Sequence, residues 1–142
     1  MPFRSLRFVL LASGCALLAP SVRAELPPTI YREMKAAAPD EVEIEITRVA
    51  RRTRDGKDLR DVSIFADAKV MGVLKSKSGL RTGDKIQLRY MTFEVITPGW
   101  AGPGPVVQVE RGGRYHAWLK KGGAYFYPAA RGQSLQAIRG YA

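Results

Sequence analysis

Cysteine is almost absent from this chain: Cys15 is the only one among 142 residues. It sits in the N-terminal apolar stretch, so the remainder can form no internal disulfide and offers no thiol for catalysis or metal binding. Histidine is equally scarce. His116 has no second imidazole with which to share a metal, and it would be the one histidine base open to a serine nucleophile. No serine stands in a Gly-x-Ser-x-Gly elbow. The glycines at 99, 102 and 104 are interleaved with prolines and lack the Lys-Ser/Thr that closes a phosphate-cradling loop. Long hydrophobic runs are missing as well. The uncharged stretch from Phe8 to Val22 contains Pro20 and falls short of the ~20 residues that span a bilayer. With these absences the sequence calls for no cofactor.

What the N-terminus does contain is the pattern of an export signal. Arg4 and Arg7 form a short basic lead, Phe8 to Leu18 is apolar, Pro20 ends that run, and Val22-Arg23-Ala24 suits a signal peptidase. The expected product begins at Glu25 and resides in the periplasm or outside the cell. Two alternatives stay open. Ala12-Ser13-Gly14-Cys15 has the form of a lipoprotein cleavage site, with Cys15 lipidated. A retained N-terminal segment would instead attach the protein to a membrane. The chain carries 23 basic against 13 acidic residues, a net charge of +10. Of the basic ones only Arg4, Arg7 and Arg23 precede Glu25, so the expected mature protein stays basic. Such a balance suits an anionic partner and equally suits a surface kept soluble by charge.

Beyond the signal (1–24) lies a leading segment, 25–40. Pro27-Pro28 is a stiff spacer, and Thr29 to Ala38 predicts a short helix with Ile30, Met34 and Ala37 or Ala38 on one face, ended by Pro39-Asp40. From residue 41 the period becomes two. Val42, Ile44 and Ile46 alternate with Glu41, Glu43 and Glu45, a half-buried strand with a carboxylate face. Arg51 to Lys57 reads as a hairpin tip turning at Asp55-Gly56. A long second strand runs from Val62 to Leu74, with Gly72 a place for a kink. After a loop over Ser76–Asp84, a third strand carries Ile86, Leu88 and Tyr90. A rigid loop from Thr97 to Pro105 carries Trp100. Val106, Val107 and Val109 predict a fourth strand, Tyr115, Ala117 and Leu119 a fifth, and Ala124 to Tyr127 a sixth. Leu135 and Ile138 of the tail are expected to plug one end. Six short strands with glycine turns predict an all-β domain over 41–142, a small closed antiparallel barrel.

The stretches IEITRVA, VSIFADAKVMGVLKSKSGL, GLRTGDKIQLRY and GPGPVVQVERGGRYHAWL follow one another between Val42 and Leu119. In this combination they resemble the netrin-like branch of the OB fold, the barrel of tissue inhibitors of metalloproteinases and related secreted modules. The layout SGLxxGDxIxLxY, then GxxYxAxL, then PAARGxS is also similar to that of small bacterial exported proteins. The resemblance implies an OB-like barrel with an exported, partner-binding character. It does not imply metalloprotease inhibition. Those inhibitors chelate the protease metal through an N-terminal cysteine, where this chain has Glu25, and the animal modules are rich in disulfides.

Two features point to a binding surface. Arg48, Arg51, Arg52, Arg54, Lys57 and Arg60 gather around one hairpin, interleaved with Asp55, Asp58 and Asp61, and Lys75, Lys77 and Arg81 lie on the next loop. In an OB barrel the first hairpin borders the usual ligand face, and arginine's planar fork suits carboxylate or phosphate. The second feature is aromatic. Trp100, in its glycine–proline loop, is either an exposed anchor or a cap folded onto the barrel. Glu41, Glu43 and Glu45, roughly 7 Å apart along one strand face, read as a solvated face rather than a two-carboxylate centre. His116 reads as a rim histidine. The expected function is a non-catalytic binding or accessory module of the cell envelope. It would engage a protein partner, or serve as a subunit of a membrane complex, through Trp100, Arg51, Arg52, Arg54, Lys57, Arg60, Lys75, Lys77 and Arg81. The alternative is an electrostatic binder of anionic polymer, acidic polysaccharide or nucleic acid, through the same basic hairpin.

Overall fold

The computed structural model describes residues 25–140 apart from 101 and 103. Residues 1–24, where the sequence predicts an export signal and which include Cys15, lie outside the described residues, as do 141 and 142.

Alternating β-branched and polar residues give three long strands. β1 (Asp40–Asp55), β2 (Leu59–Ser76) and β3 (Lys85–Val95) form an antiparallel meander. Val42, Ile44, Ile46, Val62, Ile64, Val70, Ile86 and Leu88 point inward and are buried together. β4 (Arg114–Gly122) pairs antiparallel with the first part of β1, from Asp40↔Leu119 to Glu45↔Arg114. β5 (Tyr125–Pro128) folds back on β4 and meets β3 in parallel at a single bridge, Leu88↔Phe126. The circuit β1-β2-β3-β5-β4-β1 is therefore a closed five-stranded barrel, antiparallel except at that seam. It is the OB-like all-β barrel with a short helix that the sequence predicts.

The six strands are not the six expected. Val106 to Val109 makes no strand. This segment crosses the inner side of the sheet and is held by side chains instead of a ladder. Tyr90 Oη donates to Val107 O at 2.6 Å, Thr92 Oγ1 donates to Val106 O at 2.6 Å, and Val109 N donates to Tyr90 Oη at 3.2 Å. Pro105, just ahead of it, has no N–H to give a neighbouring strand. The sixth strand comes from the tail. β6 (Leu135–Ala137) pairs with β4 and buries Leu135 in the core.

α1 (Pro28–Ala37) starts on a proline in its first turn, where no N–H is missed. Ten residues make a marginal helix alone, so packing holds it. Tyr31 and Ala38 are buried, and Met34 packs on the cluster of Trp118 and Ala130. Lys75 Nζ donates to Ala36 O at 2.9 Å.

The β1–β2 pairing skips one residue at Leu74, at Met71 and at Thr47. The first two flank Gly72 and help curl the strands, as extra residues in one strand do. The third shift reverses the parity of β1. Before Thr47 the odd residues Glu41, Glu43 and Glu45 face outward. After it Val49, Arg51 and Thr53 lie opposite the buried Ala66, Ile64 and Val62, so Arg48, Ala50, Arg52 and Arg54 face outward. From that point β1 has also left β4. The three-stranded sheet β1–β2–β3 continues as an arm about 25 Å long beyond the barrel.

Candidate binding face

Outward side chains of the arm stand in rows across the three strands. Arg48, Asp67 and Gln87 form one row, and Ala50, Phe65 and Arg89 the next. Arg52, Ser63 and Met91 follow, then Arg54, Asp61 and Phe93. Cross-strand neighbours in such rows sit about 5 Å apart. At the centre, the Arg89 guanidinium lies 5.0 Å from the Phe65 ring centre and 3.9 Å from that of Tyr125. The Arg52 guanidinium lies 5.6 Å from the same Phe65 ring. Ring faces attract and place these cations without neutralising them. Among the described residues, the ion pairs of arginine involve Arg60 and Arg114, and none involves Arg48, Arg52, Arg54 or Arg89.

Arg48, Phe65, Asp67, Arg89 and Tyr125 line a shallow hollow of about 220 Å³. Toward the barrel the face opens into a cleft of about 840 Å³ bordered by Lys69, Lys85 and Lys121 as well as Asp67 and Asp84. Lys69 and Lys85 stand directly opposite each other, a like-charge pairing that costs stability. At the far end Phe93 meets the edge of Trp100, with ring centres 5.9 Å apart at 66°. Trp100 is 44% exposed and Met91 66% exposed. The Trp100 loop is tied to the hairpin tip, where Ile96 N donates to Asp58 O and Thr97 Oγ1 bonds Asp58 Oδ1. A Cβ at Gly102 would overlap the indole, so glycine there lets the loop wrap Trp100. Trp100 thus rests against both Phe93 and Gly102 and keeps the remainder of its surface exposed.

The nine residues expected to form one site are divided by the structure. Arg52 and Arg54 lie on the outer face, Trp100 at its end, and Lys57 on the exposed hairpin turn. Arg51 and Arg60 face the other way and hold the fold together. Arg51 Nη2 donates to Val109 O at 2.6 Å. Arg60 Nε donates to Asp55 Oδ1 at 2.6 Å and its Nη1 to Glu94 Oε2 at 3.2 Å. The hydrogen bond to Asp55, and then that carboxylate's charge, raise the Arg60 pKa above its ordinary value. A hydrogen bond from Gln108, helped by Arg60, holds the Glu94 carboxyl below the ordinary value. Lys75, Lys77 and Arg81 belong to the opposite end of β2, on the order of 50 Å along the strand from Arg60. The two basic clusters therefore do not meet, because β2 is long enough to separate its own loops. Arg89, which the sequence reading does not single out, is central. So is Phe65. Their signal is positional: a phenylalanine and an arginine at outward places of alternating strands.

The face shared by β1 and β4 is built differently. Glu41 Oε1 and His116 Nε2 share a hydrogen bond at 2.9 Å, and His116 stacks on Trp118 with centres 4.1 Å apart at 14°. Lys35 Nζ lies 4.1 Å from the Trp118 ring centre, where burial lowers its pKa and the Glu41 charge partly opposes that. Arg114 Nε donates to Glu45 Oε2 at 2.9 Å. Two of the three glutamates are thus engaged across the strands, and Glu43 faces solvent. Among the described residues no His/Cys/Asp/Glu group is arranged to hold a metal.

The motifs behind the resemblance are structural clasps. Buried Asp40 accepts bonds from Ser76 Oγ, Ser78 N and Ser78 Oγ, at 2.7, 3.1 and 2.7 Å. In PAARGxS, Ser134 Oγ accepts from Ala130 N and donates to Arg131 O. No protein-family model matches the chain, and no curated protein or solved structure is significantly similar to it.

Proposed function

We propose that the chain is an exported, non-catalytic binding or accessory module of the cell envelope, engaging a protein partner through the outer face of its arm. The observation that carries this reading is the end of that face. There the half-exposed Trp100 packs on Phe93, next to exposed Met91, and the same two rows end across the sheet at Arg54 and Arg52. Exposed aromatic and arginine side chains on one face are the usual composition of an interface hot spot. The non-catalytic part is supported by the engagement of His116, Glu41 and Glu45 in contacts within the barrel. The export signal supports an envelope location, with Glu25 as the first mature residue. A lipid on Cys15 or a retained N-terminal segment would keep the same face near a membrane complex.

The test is a photo-crosslinking residue placed at Trp100 in cells that export the protein, with one at exposed Glu43 for comparison. A discrete crosslinked protein from position 100 and none from position 43 is the expected result. Equal products from both positions overturn the reading.

A second reading, the electrostatic binder of anionic polymer, is favoured by Lys69, Lys85 and Lys121 around the cleft that continues the face. Its mark is affinity for acidic polysaccharide that falls steeply with salt and does not change in Trp100→Ala.

A further inference from the structure

We infer that the outer face of the arm holds an extended segment of the partner that carries carboxylates over one half and apolar side chains over the other. This deepens the proposed function and rests on it.

The charged half is the set Arg48, Arg52 and Arg89. Two of these guanidinium groups are fixed against one ring, Phe65, and Arg89 against Tyr125 as well. Their side-chain freedom is already reduced, so less is lost when a ligand binds. Their forks remain open to bidentate carboxylates. The apolar half starts in the same rows. Met91 is next to Ser63 and in line with Arg52, Phe93 follows one row on, and Trp100 packs on Phe93. Exposed Val95 and Ile96 continue that end. A pure polyanion has nothing to place on Met91 and Trp100, whereas a peptide can supply both chemistries in one strand. The rows from Arg48 to Arg54 cover about 20 Å, the length of roughly six extended residues. The outward side chains of Arg48, Ala50, Arg52, Arg54, Arg89 and Met91 are all exposed in consecutive rows, which suits an extended segment laid along them.

The probe is a fluorescein-labelled octapeptide with four glutamates followed by four leucines, read by fluorescence anisotropy against the mature protein. An octaglutamate of the same label and inorganic polyphosphate serve as comparators. The mixed peptide is expected to bind about tenfold tighter than octaglutamate. Replacing Arg52 and Arg89 together by Ser weakens it at least about tenfold. Replacing Arg32 and Arg139 by Ser removes the same charge elsewhere and changes it less than about twofold. Met91→Ser weakens the mixed peptide about fivefold and leaves octaglutamate unchanged. Equal loss in the two arginine pairs overturns the inference, because net charge alone would then explain binding. Polyphosphate binding as tightly as the mixed peptide, unaffected by Met91→Ser, assigns the face to a polyanion and also overturns it. Thermal midpoints of all variants show that they fold. Crosslinking from position 100 that persists undiminished in the Arg52/Arg89 variant sinks this inference and leaves the proposed function standing. Absence of any crosslink in the parent sinks the proposed function itself.

Discussion

Strand β1 displays two charged faces that treat their charge in opposite ways. Along Asp40 to Glu45 its glutamates meet His116 and Arg114 of β4, and the imidazole is stacked on Trp118 beneath Lys35. Along Arg48 to Arg54 the outward Arg52 lies over the Phe65 ring, and Arg48 and Arg54 stand in register with Asp67 and Asp61, yet among the described residues none of the three is in an ion pair. A paired surface is finished by folding. An unpaired one carries unsatisfied electrostatic potential, which contributes nothing to the isolated fold and becomes useful when a partner arrives. The contrast separates the part of the molecule that stabilises it from the part offered to a ligand.

Four experiments can break or sharpen that contrast. Removing the centre of the paired face should cost most: Trp118→Ala is expected to lose about 3–5 kcal/mol in urea unfolding, the range for a buried aromatic. A loss below about 1 kcal/mol would mean that the stack is decorative. Next comes the lining beneath the arm. Burial, only partly offset by the hydrogen bond from Val109, pushes the Tyr90 phenol up to about 12. An unfolded tyrosine releases its proton near 10, so between those values the folded state binds more protons than the unfolded one. Stability contributed by the protonated phenol is complete below pH 10 and is lost as pH rises toward 12, by about 2–3 kcal/mol. Unfolding titrations across that range should show the fall in the parent and lack this component in Tyr90→Phe. Glu41→Gln should lower stability by about 1 kcal/mol, since it weakens the half-buried hydrogen bond to His116. The smallest effect belongs to the open face. Arg52→Ser and Arg89→Ser should each shift unfolding free energy by less than about 0.5 kcal/mol, and a larger loss would make these arginines props of the arm.

The barrel was legible because its information is local. Val42, Ile44 and Ile46, then Val62, Ile64 and Val70, carry their burial in a period of two, and Gly83 and Gly123 mark turns with positive φ. The strand count was reached by a different route, since Val106 to Val109 has the composition of a strand and is held by Tyr90 and Thr92 hydroxyls. The site was less legible. Nothing in TRVARRTRD announces that Thr47 is skipped in the ladder, yet that one residue decides whether Arg51 or Arg52 faces outward. Nor does sequence proximity reveal that Lys75 and Arg60 occupy opposite ends of one strand. The tail also hid its contribution, because Leu135–Ala137 is too short to read as a strand until β4 lies beside it.

The single parallel bridge between Leu88 and Phe126 has a kinetic consequence. Every other junction of the cylinder is a ladder of several residues, whereas this one has a single backbone bridge and is otherwise held by side chains. Opening it parts one backbone bridge and the Arg89–Tyr125 contact and exposes Phe126, while the three-stranded meander stays paired. Amide exchange at β5 should therefore report opening of this seam separately from the meander, and a partner that bridges β3 and β5 would slow it without altering the rest of the barrel.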